Sequence, residues 1–175
     1  MGFNDFNITD FFGSVNHEAE TKETLKEDEV IIGRVVDGDT IIVINSDGKE
    51  ERVRMLLIDT PESVHPTEPE QKFGKEASDF AKEYLKQGQK VVLERGNPEK
   101  DKYGRTLGYV FVDGVNFNML MLEKGYARVA YVYEPNTKYL NEFKQAEKRA
   151  KEKKLNIWSI SGYVTDRGFD MSVVR

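Results

Sequence analysis

The sequence predicts an α+β domain built on a five-stranded barrel of the OB type with three helices. Five short runs rich in β-branched and other apolar residues are bounded by turn residues, a pattern typical of strands. Further segments between and after these runs carry apolar residues at helical spacing. Five antiparallel strands of this length can curl into a small closed barrel, and we expect this architecture.

The first three predicted strands form a meander. A run of β-branched residues at 30–36 gives the first strand, and the Asp-Gly pair at 37–38 is a turn signal. Residues 40–44 give the second strand. A polar turn over 45–48 leads to the third strand, which we place at 53–58.

The next segment predicts a helix followed by two more strands. Apolar side chains within 73–85 recur at i, i+4, i+7 and i+8, so this segment predicts an amphipathic helix that stops at Gly88. Residues 90–94 predict the fourth strand. A polar loop at 96–104 then leads to the fifth strand at 107–112.

Two more helices complete the predicted domain. The first carries Phe117 toward the core and stops at Gly125. A brief extended piece at 129–133 precedes the second, which we place at 137–153. The apolar pair at 157–158 is expected to dock against the far end of this last helix.

These elements place the folded domain at residues 30–159, with an extension on each side. Residues 1–29 show no sustained period and many charges, which predicts a flexible acidic leader, with a short helix as the alternative. Residues 160–175 are expected to form a C-terminal tail. Residues 1–10 lack the cationic start and apolar segment of a secretory signal.

Composition limits the chemistry that this domain can perform. The chain has no cysteine, and its two histidines are His17 and His65, which argues against a zinc centre and against a histidine-based catalytic triad. A metal ion would therefore have to be held by oxygen atoms. No run of 18 or more apolar residues predicts a membrane span.

The net charge of −5 belongs mainly to the leader. Residues 1–30 carry eight acidic residues and two lysines, whereas residues 31–175 carry 23 acidic residues and 24 lysines and arginines. The predicted domain is therefore nearly neutral. Binding of phosphate groups would depend on locally grouped cations and a metal ion, not on a broad basic face.

An unusual concentration of charge surrounds the end of the third strand. Arg54, Asp59 and Glu62 flank an apolar run, and Asp39 lies one hairpin upstream. Thr60 precedes a proline and is held extended, so its carbonyl and the Asp59 carboxylate keep a set geometry. Two carboxylates and a backbone oxygen suit calcium, with waters completing its shell. Taken alone, however, the Asp-Gly turn that precedes Asp39 is usually only a turn.

The alternation of side chains along a strand limits how Arg54 and Asp59 can come together. Arg54 and Asp59 are five residues apart and would point to opposite faces of a regular strand. The strand must therefore bulge or end before Asp59. We predict that the two side chains converge on one pocket despite this odd spacing.

Two further groups of residues could contact a phosphorylated ligand. Lys102, Tyr103 and Arg105 lie in one polar turn, whose ordinary interpretation is a solvated charged loop. A second guanidinium beside that of the first cluster would suit a phosphodiester, because planar forks pair with two phosphate oxygens. Tyr131 and Tyr133 share one side of the predicted extended piece. Tyrosines so placed are usually ordinary surface or core residues, although a nucleobase can stack on them.

Together these motifs resemble the thermonuclease family, typified by staphylococcal nuclease. The resemblance covers residues 30–159 in order, and the central motif reads Leu-Leu-Ile-Asp-Thr-Pro-Glu. The motifs that carry it lie at 37–40, 54–62, 101–105, 129–135 and 155–159.

The resemblance implies an OB-fold nuclease that uses Ca²⁺ to hydrolyse DNA and RNA and leaves 3′-phosphates. Family habit favours a location outside the cell, secreted or attached to the cell surface, over a cytoplasmic location, which is the alternative. We expect a monomer. The implied metal ligands are Asp39, Asp59 and the Thr60 carbonyl. The implied catalytic residues are Arg54, Glu62 and Arg105. The implied substrate-binding residues are Lys102, Tyr103, Tyr131 and Tyr133.

Some features depart from the family pattern or stay open. Better-known members carry lysines in the loop after residue 66, where this chain has Thr67 and Glu68, and Glu99 and Glu134 add further acid. We therefore expect weaker binding of polyanions and a shallower salt dependence. The isomer of the peptide bond before Pro135 is open, because the family can hold a cis proline there.

Two other interpretations are weighed against the enzyme. The same barrel occurs as a noncatalytic nucleic-acid-binding module, which typically lacks the acids or the arginines. A calcium-stabilised structural domain would leave the arginines and tyrosines without a role. Retention of the acids and of both arginines favours the enzyme.

Overall fold

The computed structural model describes residues 24–63 and 66–175, so most of the predicted leader lies outside the described residues. In these ranges the strands are β1 (Glu29–Asp37), β2 (Thr40–Ile44), β3 (Glu50–Met55), β4 (Ile58–Asp59), β5 (Lys90–Lys100), β6 (Thr106–Val112), β7 (Val115–Asn116), β8 (Arg128–Val129), β9 (Val164–Thr165) and β10 (Gly168–Phe169). The α-helices there are α1 (Gly74–Tyr84), α2 (Phe117–Glu123) and α3 (Leu140–Glu152). None of these helices has the length and apolar character needed to cross a membrane.

Five strands, β1, β2, β3, β5 and β6, close into a barrel. Neighbouring strands pair antiparallel, except that β3 and β6 run parallel with Val53 opposite Thr106. An odd number of strands cannot alternate direction around a closed ring, so one neighbouring pair must be parallel. The predicted OB-type barrel with three helices is confirmed, but the expectation that all five strands are antiparallel is wrong at this seam.

The barrel interior and the helices share one apolar core. Val30 and Ile32 alternate along β1 and are buried, as the two-residue period of a strand requires. Helix α1 packs against β1 and buries Ala77 and Ala81, while α3 buries Phe143. Burial of each large apolar side chain stabilises the fold by roughly 1.5–3 kcal/mol.

The third strand is shorter than predicted. β3 ends at Met55, the chain turns through Leu56 and Leu57, the latter with a φ of 65°, and β4 begins at Ile58. All four residues are buried, so their apolar character could not distinguish a turn from a strand. The turn is held by Arg54, whose Nη1 donates to the carbonyls of Met55 and Ile58 at 2.9 Å each.

Three other boundaries differ from the prediction. β5 continues to Lys100 through part of the predicted polar loop, because Lys100 pairs with Thr106 through the backbone whatever its side chain. Helix α3 begins at Leu140, three residues later than expected. Of the predicted extended piece at 129–133, only Val129 is in a strand, β8.

The C-terminal residues are folded onto the domain, which corrects the expected tail over 160–175. β9 and β10 form a small hairpin. Tyr163 is completely buried, and its hydroxyl donates to the Lys72 carbonyl at 2.6 Å. Its ring lies 5.4 Å from that of Phe169. The sequence signal was weak because isolated aromatic residues in a short segment show no period. The docking of Ile157, predicted from its apolar character, is confirmed by its complete burial.

Candidate active site

Asp39 lies at the centre of the charged cluster. It lies in the turn between β1 and β2, and its side chain is almost completely buried. Its Oδ2 accepts from the Thr60 amide at 3.0 Å and faces Arg54 Nη2 at 3.2 Å, while Oδ1 accepts from the Thr40 hydroxyl at 2.9 Å. Burial alone would raise the pKa of Asp39, but the Arg54 guanidinium and these hydrogen bonds lower it. Asp39 is therefore held as a carboxylate.

Arg54 and Asp59 converge, as the sequence predicted. The tight turn after β3 brings the two side chains to the same side of the chain. Arg54 Nη2 lies 3.9 Å from Asp59 Oδ1. The same guanidinium binds two carbonyls of that turn. Arg54 is therefore fixed in place before any ligand arrives.

Thr60 is drawn close to Asp39 by a glycine in the opposite turn. A Cβ added at Gly38 would lie 2.9 Å from the Thr60 Cγ2 atom, so only glycine permits this approach. The Thr60 hydroxyl is buried, and no described residue forms a hydrogen bond with it. A buried polar atom of this kind calls for a water or ligand.

Acidic residues outnumber their cationic partners in the cluster around Asp39. Burial and repulsion from Asp39 raise the pKa of Asp37 to about 8. Burial, and then the charge of Asp39, also raise the pKa of Asp59, although Arg128 and Arg54 oppose this. Partly uncompensated carboxylates favour a bound cation. In the described part of the chain no three acidic or histidine side chains converge as metal ligands, so carbonyl and water oxygens would have to complete its shell.

Sequence reasoning missed Arg128, which contacts Asp59 directly. The two residues are register partners in the β4–β8 pair, and Arg128 Nε donates to Asp59 Oδ2 at 2.9 Å. They are 69 positions apart in the chain, and no local pattern links them. A buried arginine nevertheless requires a carboxylate or carbonyl partner, which is the signal that could have singled it out once its burial was known.

Glu62 lies in a loop that is fastened to the start of α1. Its amide donates to Gln71 Oε1 at 2.8 Å, and its carbonyl accepts from the Gln71 amide at 2.9 Å. A Cβ on Gly74 would come within 2.2 Å of the Glu62 carbonyl, so glycine is required there. The Glu62 charge contributes to the raised pKa of Asp37. Glu62 therefore belongs to the same electrostatic environment as the aspartates.

Arg105 is the last residue of the loop between β5 and β6, directly before β6 begins at Thr106. Thr106 is the register partner of Val53 and Leu107 that of Arg54, so the backbone of Arg105 lies next to the end of the β3–β6 pair that carries Arg54. Arg105 Nε pairs with Asp101 Oδ2 at 2.7 Å, and Asp101 Oδ1 accepts from the Tyr103 and Arg105 amides at 2.9 Å each. This loop therefore has a defined shape.

The predicted nucleotide-binding residues are exposed, and Tyr103 and Tyr131 lie against the two arginines. Tyr103 lies in the same loop, with Lys102 Nζ 5.1 Å from its ring centroid and Arg105 Cζ 5.7 Å from it. Tyr131 lies over Arg54, with its ring centroid 5.3 Å from Cζ. The side chain of Tyr133 is 71% exposed.

The two later tyrosines do not share one side of a strand, which corrects the prediction. The strand ends at Val129, and Tyr131 has a φ of 54°, which turns its side chain back over Arg54. The peptide bond between Glu134 and Pro135 is cis, which answers a question that the sequence left open.

The structure thus gathers the predicted residues in two groups. Direct contacts link Asp39, Arg54, Asp59, Thr60 and Tyr131. The loop at 101–105 holds Lys102, Tyr103 and Arg105, and the parallel β3–β6 pairing sets it beside the first group.

The sequence that builds this site is similar to those of known nucleases. The family described as Staphylococcal nuclease homologue matches residues 52–160, a stretch that includes Arg54, Asp59 and Arg105. The chain is 45% identical over 168 residues to the Endonuclease YncB of Bacillus subtilis (strain 168), covering 95% of this chain and 77% of that protein. It is 50% identical over 143 residues to the SPbeta prophage-derived endonuclease YokF of the same organism, covering 81% of this chain and 48% of that longer protein. It is 52% identical over 126 residues to the Thermonuclease of Staphylococcus hyicus, covering 72% of this chain and 73% of that protein.

Proposed function

The chain belongs to the staphylococcal nuclease family, and from this premise we propose that it is a calcium-dependent endonuclease that hydrolyses DNA and RNA to products with 3′-phosphates. The observation that carries the proposal is the convergence of Asp39, Arg54 and Asp59 in one partly buried cluster. A phosphodiester is an anion, and its hydrolysis needs positive charge placed before the substrate arrives.

The donor set of this cluster fits a calcium ion. Asp39 and Asp59 would bind it with carboxylate oxygens, and the Thr60 carbonyl and waters would supply further oxygen ligands. When bound, the ion supplies positive charge near the phosphoryl oxygens and lowers the pKa of water. The excess of acidic residues and the unpartnered Thr60 hydroxyl support this assignment.

The two arginines would hold the phosphate group that is cleaved. Arg54 is fixed by two carbonyls and by Asp39, so its remaining N–H groups keep a constant direction. Arg105 is held by Asp101 within the loop between β5 and β6. Donors fixed in this way stabilise the charge that develops in the transition state, because little reorganisation is needed during the reaction.

Glu62 would act on the attacking water. A free glutamate titrates near pH 4.3 and is a weak base, so it can either accept a proton from a water of lowered pKa or only orient that water. Its loop is fastened by Gln71 and by the close approach of Gly74. This attachment would keep the carboxylate at a constant position relative to the phosphate.

Exposed aromatic and cationic residues would bind the nucleotides. Tyr103, Tyr131 and Tyr133 offer ring faces on which bases can stack, and Lys102 offers a charge for the backbone. Stacking contributes about 1–3 kcal/mol per base and tolerates any sequence. We therefore propose little sequence preference and activity on both DNA and RNA.

A noncatalytic nucleic-acid-binding module is the second candidate. The retained acids and arginines speak against it, and so do the relatives named as endonucleases or as a thermonuclease. In a binding module, carboxylates beside the phosphate site would only repel the ligand.

Digestion of denatured DNA and of RNA tests the proposal. We expect rapid loss of substrate with Ca²⁺, no loss after addition of a chelator, and 3′-phosphate ends detected by mass spectrometry. Glu62→Gln should lower kcat by about 10²–10⁴-fold. Glu70→Gln, the same change at an exposed position of the same loop, is the matched control and should be near wild type. Calcium-independent binding without cleavage would establish the binding module instead.

A further inference from the structure

We propose that Arg128 is a positioning residue for the cation site, and that the hairpin β9–β10 holds Arg128 in place. The inference rests on the proposed function, because it concerns the orientation of the calcium ligand Asp59. It assigns a role to a buried arginine and to a folded C-terminal segment that the proposed reaction does not otherwise use.

The contact between Arg128 and Asp59 fixes one carboxylate oxygen. The two side chains are only 11% and 14% exposed, and Nε donates to Oδ2 at 2.9 Å. The other oxygen, Oδ1, is directed toward Arg54 at 3.9 Å, which is beyond a direct hydrogen bond. Arg128 therefore determines which oxygen of Asp59 is presented to the cluster.

Without Arg128, the Asp59 carboxylate could rotate onto Arg54. The present gap of 3.9 Å would then close into a direct ion pair. Because Arg54 already pairs with Asp39 at 3.2 Å, this second pair would engage both proposed carboxylate ligands of the metal with the same arginine. Arg128 prevents this by binding the carboxylate from the opposite side.

Arg128 is in turn held by the C-terminal hairpin. Its Nη1 donates to the Thr165 carbonyl at 3.4 Å, and its Cζ lies 5.9 Å from the centroid of the Phe169 ring. The Phe169 ring packs against the buried Tyr163. The guanidinium therefore has a carboxylate on one side and a fixed peptide and ring on the other.

The same C-terminal segment also contacts the loop that carries Glu62. The Tyr163 hydroxyl donates to the Lys72 carbonyl at 2.6 Å, and the Lys72 amide lies 3.4 Å from Met171 Sδ. Lys72 directly follows Gln71, which forms two hydrogen bonds with the backbone of Glu62. The segment thus supports both sides of the site, although none of its residues was predicted to contact substrate or metal.

Calcium affinity separates positioning from simple charge. Arg128 is a cation near a proposed cation site, so its removal would strengthen Ca²⁺ binding if only charge mattered. If it positions Asp59, its removal must weaken binding, and residues that orient a ligand typically contribute about 10–100-fold to metal affinity. We expect Arg128→Gln to raise the Kd for Ca²⁺ at least about tenfold by isothermal titration calorimetry.

Three further variants complete the experiment. Arg128→Lys keeps the charge but not the planar fork, and should recover only part of the affinity. Phe169→Leu keeps every charge and removes the ring, and should weaken Ca²⁺ binding in the same direction by about threefold. Arg167→Gln loses the same charge at an exposed position of the same hairpin and should keep the wild-type Kd. Thermal unfolding without calcium identifies any variant that does not fold.

The outcomes distinguish this inference from the proposed function. Calcium binding by Arg128→Gln as tight as wild type, or tighter, overturns the inference while calcium-dependent cleavage by wild type still stands. Equal weakening by Arg167→Gln overturns it as well. If Arg128→Gln does not fold, unchanged affinity in Phe169→Leu decides against it. Failure of the wild-type chain to bind Ca²⁺ overturns the proposed function and the inference together.

Discussion

Two carboxylate–arginine clusters in this barrel have opposite properties. Glu51, two residues before the buried Val53, receives two hydrogen bonds from Arg95 at 2.6 and 2.8 Å and others from Thr106 at 2.8 Å and Asn45 at 3.1 Å. These partners, with Arg95 first, lower the pKa of Glu51 to about 2. In the Asp39 cluster, by contrast, burial and neighbouring charge raise the pKa of one aspartate to about 8.

The difference lies in the balance of acids and donors. The Glu51 carboxylate has its own arginine and two further donors, so each oxygen is satisfied within the protein. Asp39 and Asp59 share Arg54, and Asp59 also pairs with Arg128. Two of the three acids, Asp37 and Asp59, have raised pKa values. An ion pair whose oxygens are all hydrogen-bonded contributes to the fold. Carboxylates in excess of their cationic partners instead mark a site that a bound cation would stabilise.

Replacing one arginine of each cluster, Arg54 or Arg95, with alanine should give the largest difference in kcat between the two clusters. Arg54→Ala should lower kcat on DNA by about 10³-fold, because it removes donors that act on the transition state. Arg95→Ala should leave kcat within about twofold and lower the midpoint of thermal unfolding instead. Steady-state kinetics and circular dichroism on both proteins, with calcium present, measure this. An equal loss of kcat in both variants would show that the Glu51 cluster also serves catalysis.

The pH dependence of stability should sharpen the contrast. Because the pKa of Glu51 is lowered from about 4.5 to about 2 on folding, its ion pair stabilises the protein above pH 4.5. That stabilisation is lost as the pH falls from about 4.5 toward 2. Glu51→Gln should therefore lower the free energy of unfolding by about 2 kcal/mol at pH 7, and by progressively less below pH 4.5.

Urea denaturation at pH 7, 5 and 3 measures this dependence. The matched control is Glu50→Gln, the same substitution at the exposed first residue of β3, which should change stability little at any pH. A difference between Glu51→Gln and wild type that stays constant down to pH 3 would contradict the assigned role of the ion pair.

The smallest expected effect concerns salt. The acidic residues near the site predict that kcat/KM falls less steeply with ionic strength than in lysine-rich relatives. Glu134→Lys should steepen the slope of log kcat/KM against log salt by roughly 0.7 for each added phosphate contact on single-stranded DNA. Asp47→Lys makes the same charge change in the exposed turn between β2 and β3, at the other end of these strands, and should leave the slope unchanged. A steep slope of log kcat/KM against log salt for the wild-type chain would contradict this prediction.

Much of the fold could be predicted because its signals are local. The strand at Thr40–Ile44, the helix that ends at Tyr84 and the turn at 113–114 each follow from nearby residues, through β-branched runs, helical spacing or Asp-Gly pairs. Where apolar residues were continuous, as in the turn at Leu56 and Leu57, the pattern could not place the end of the strand. At Lys100 the polar residues predicted a loop where the structure has a strand, because backbone pairing needs no apolar side chain.

The candidate site was predicted in part for the same reason. The sequence identified Asp39, Arg54 and Asp59, and the requirement that Arg54 and Asp59 converge followed from their odd spacing. The expected arrangement of Tyr131 and Tyr133 on one strand face was wrong, because a positive φ at Tyr131 interrupts the extended chain. Arg128 was not predicted, since its partner depends on a strand pair that closes only in the folded protein.

The sequence by itself determined the kinds of residue available for chemistry and most of the local elements. With no cysteine and few histidines it also restricted any metal site to oxygen ligands. Only the tertiary structure decided that a parallel strand pair closes the barrel and that Arg128 binds Asp59. It also decided that the C-terminal hairpin contacts Arg128. The physical reason is separation along the chain: local patterns reflect neighbours within a turn or two, whereas these contacts join segments that meet only after the whole core has formed.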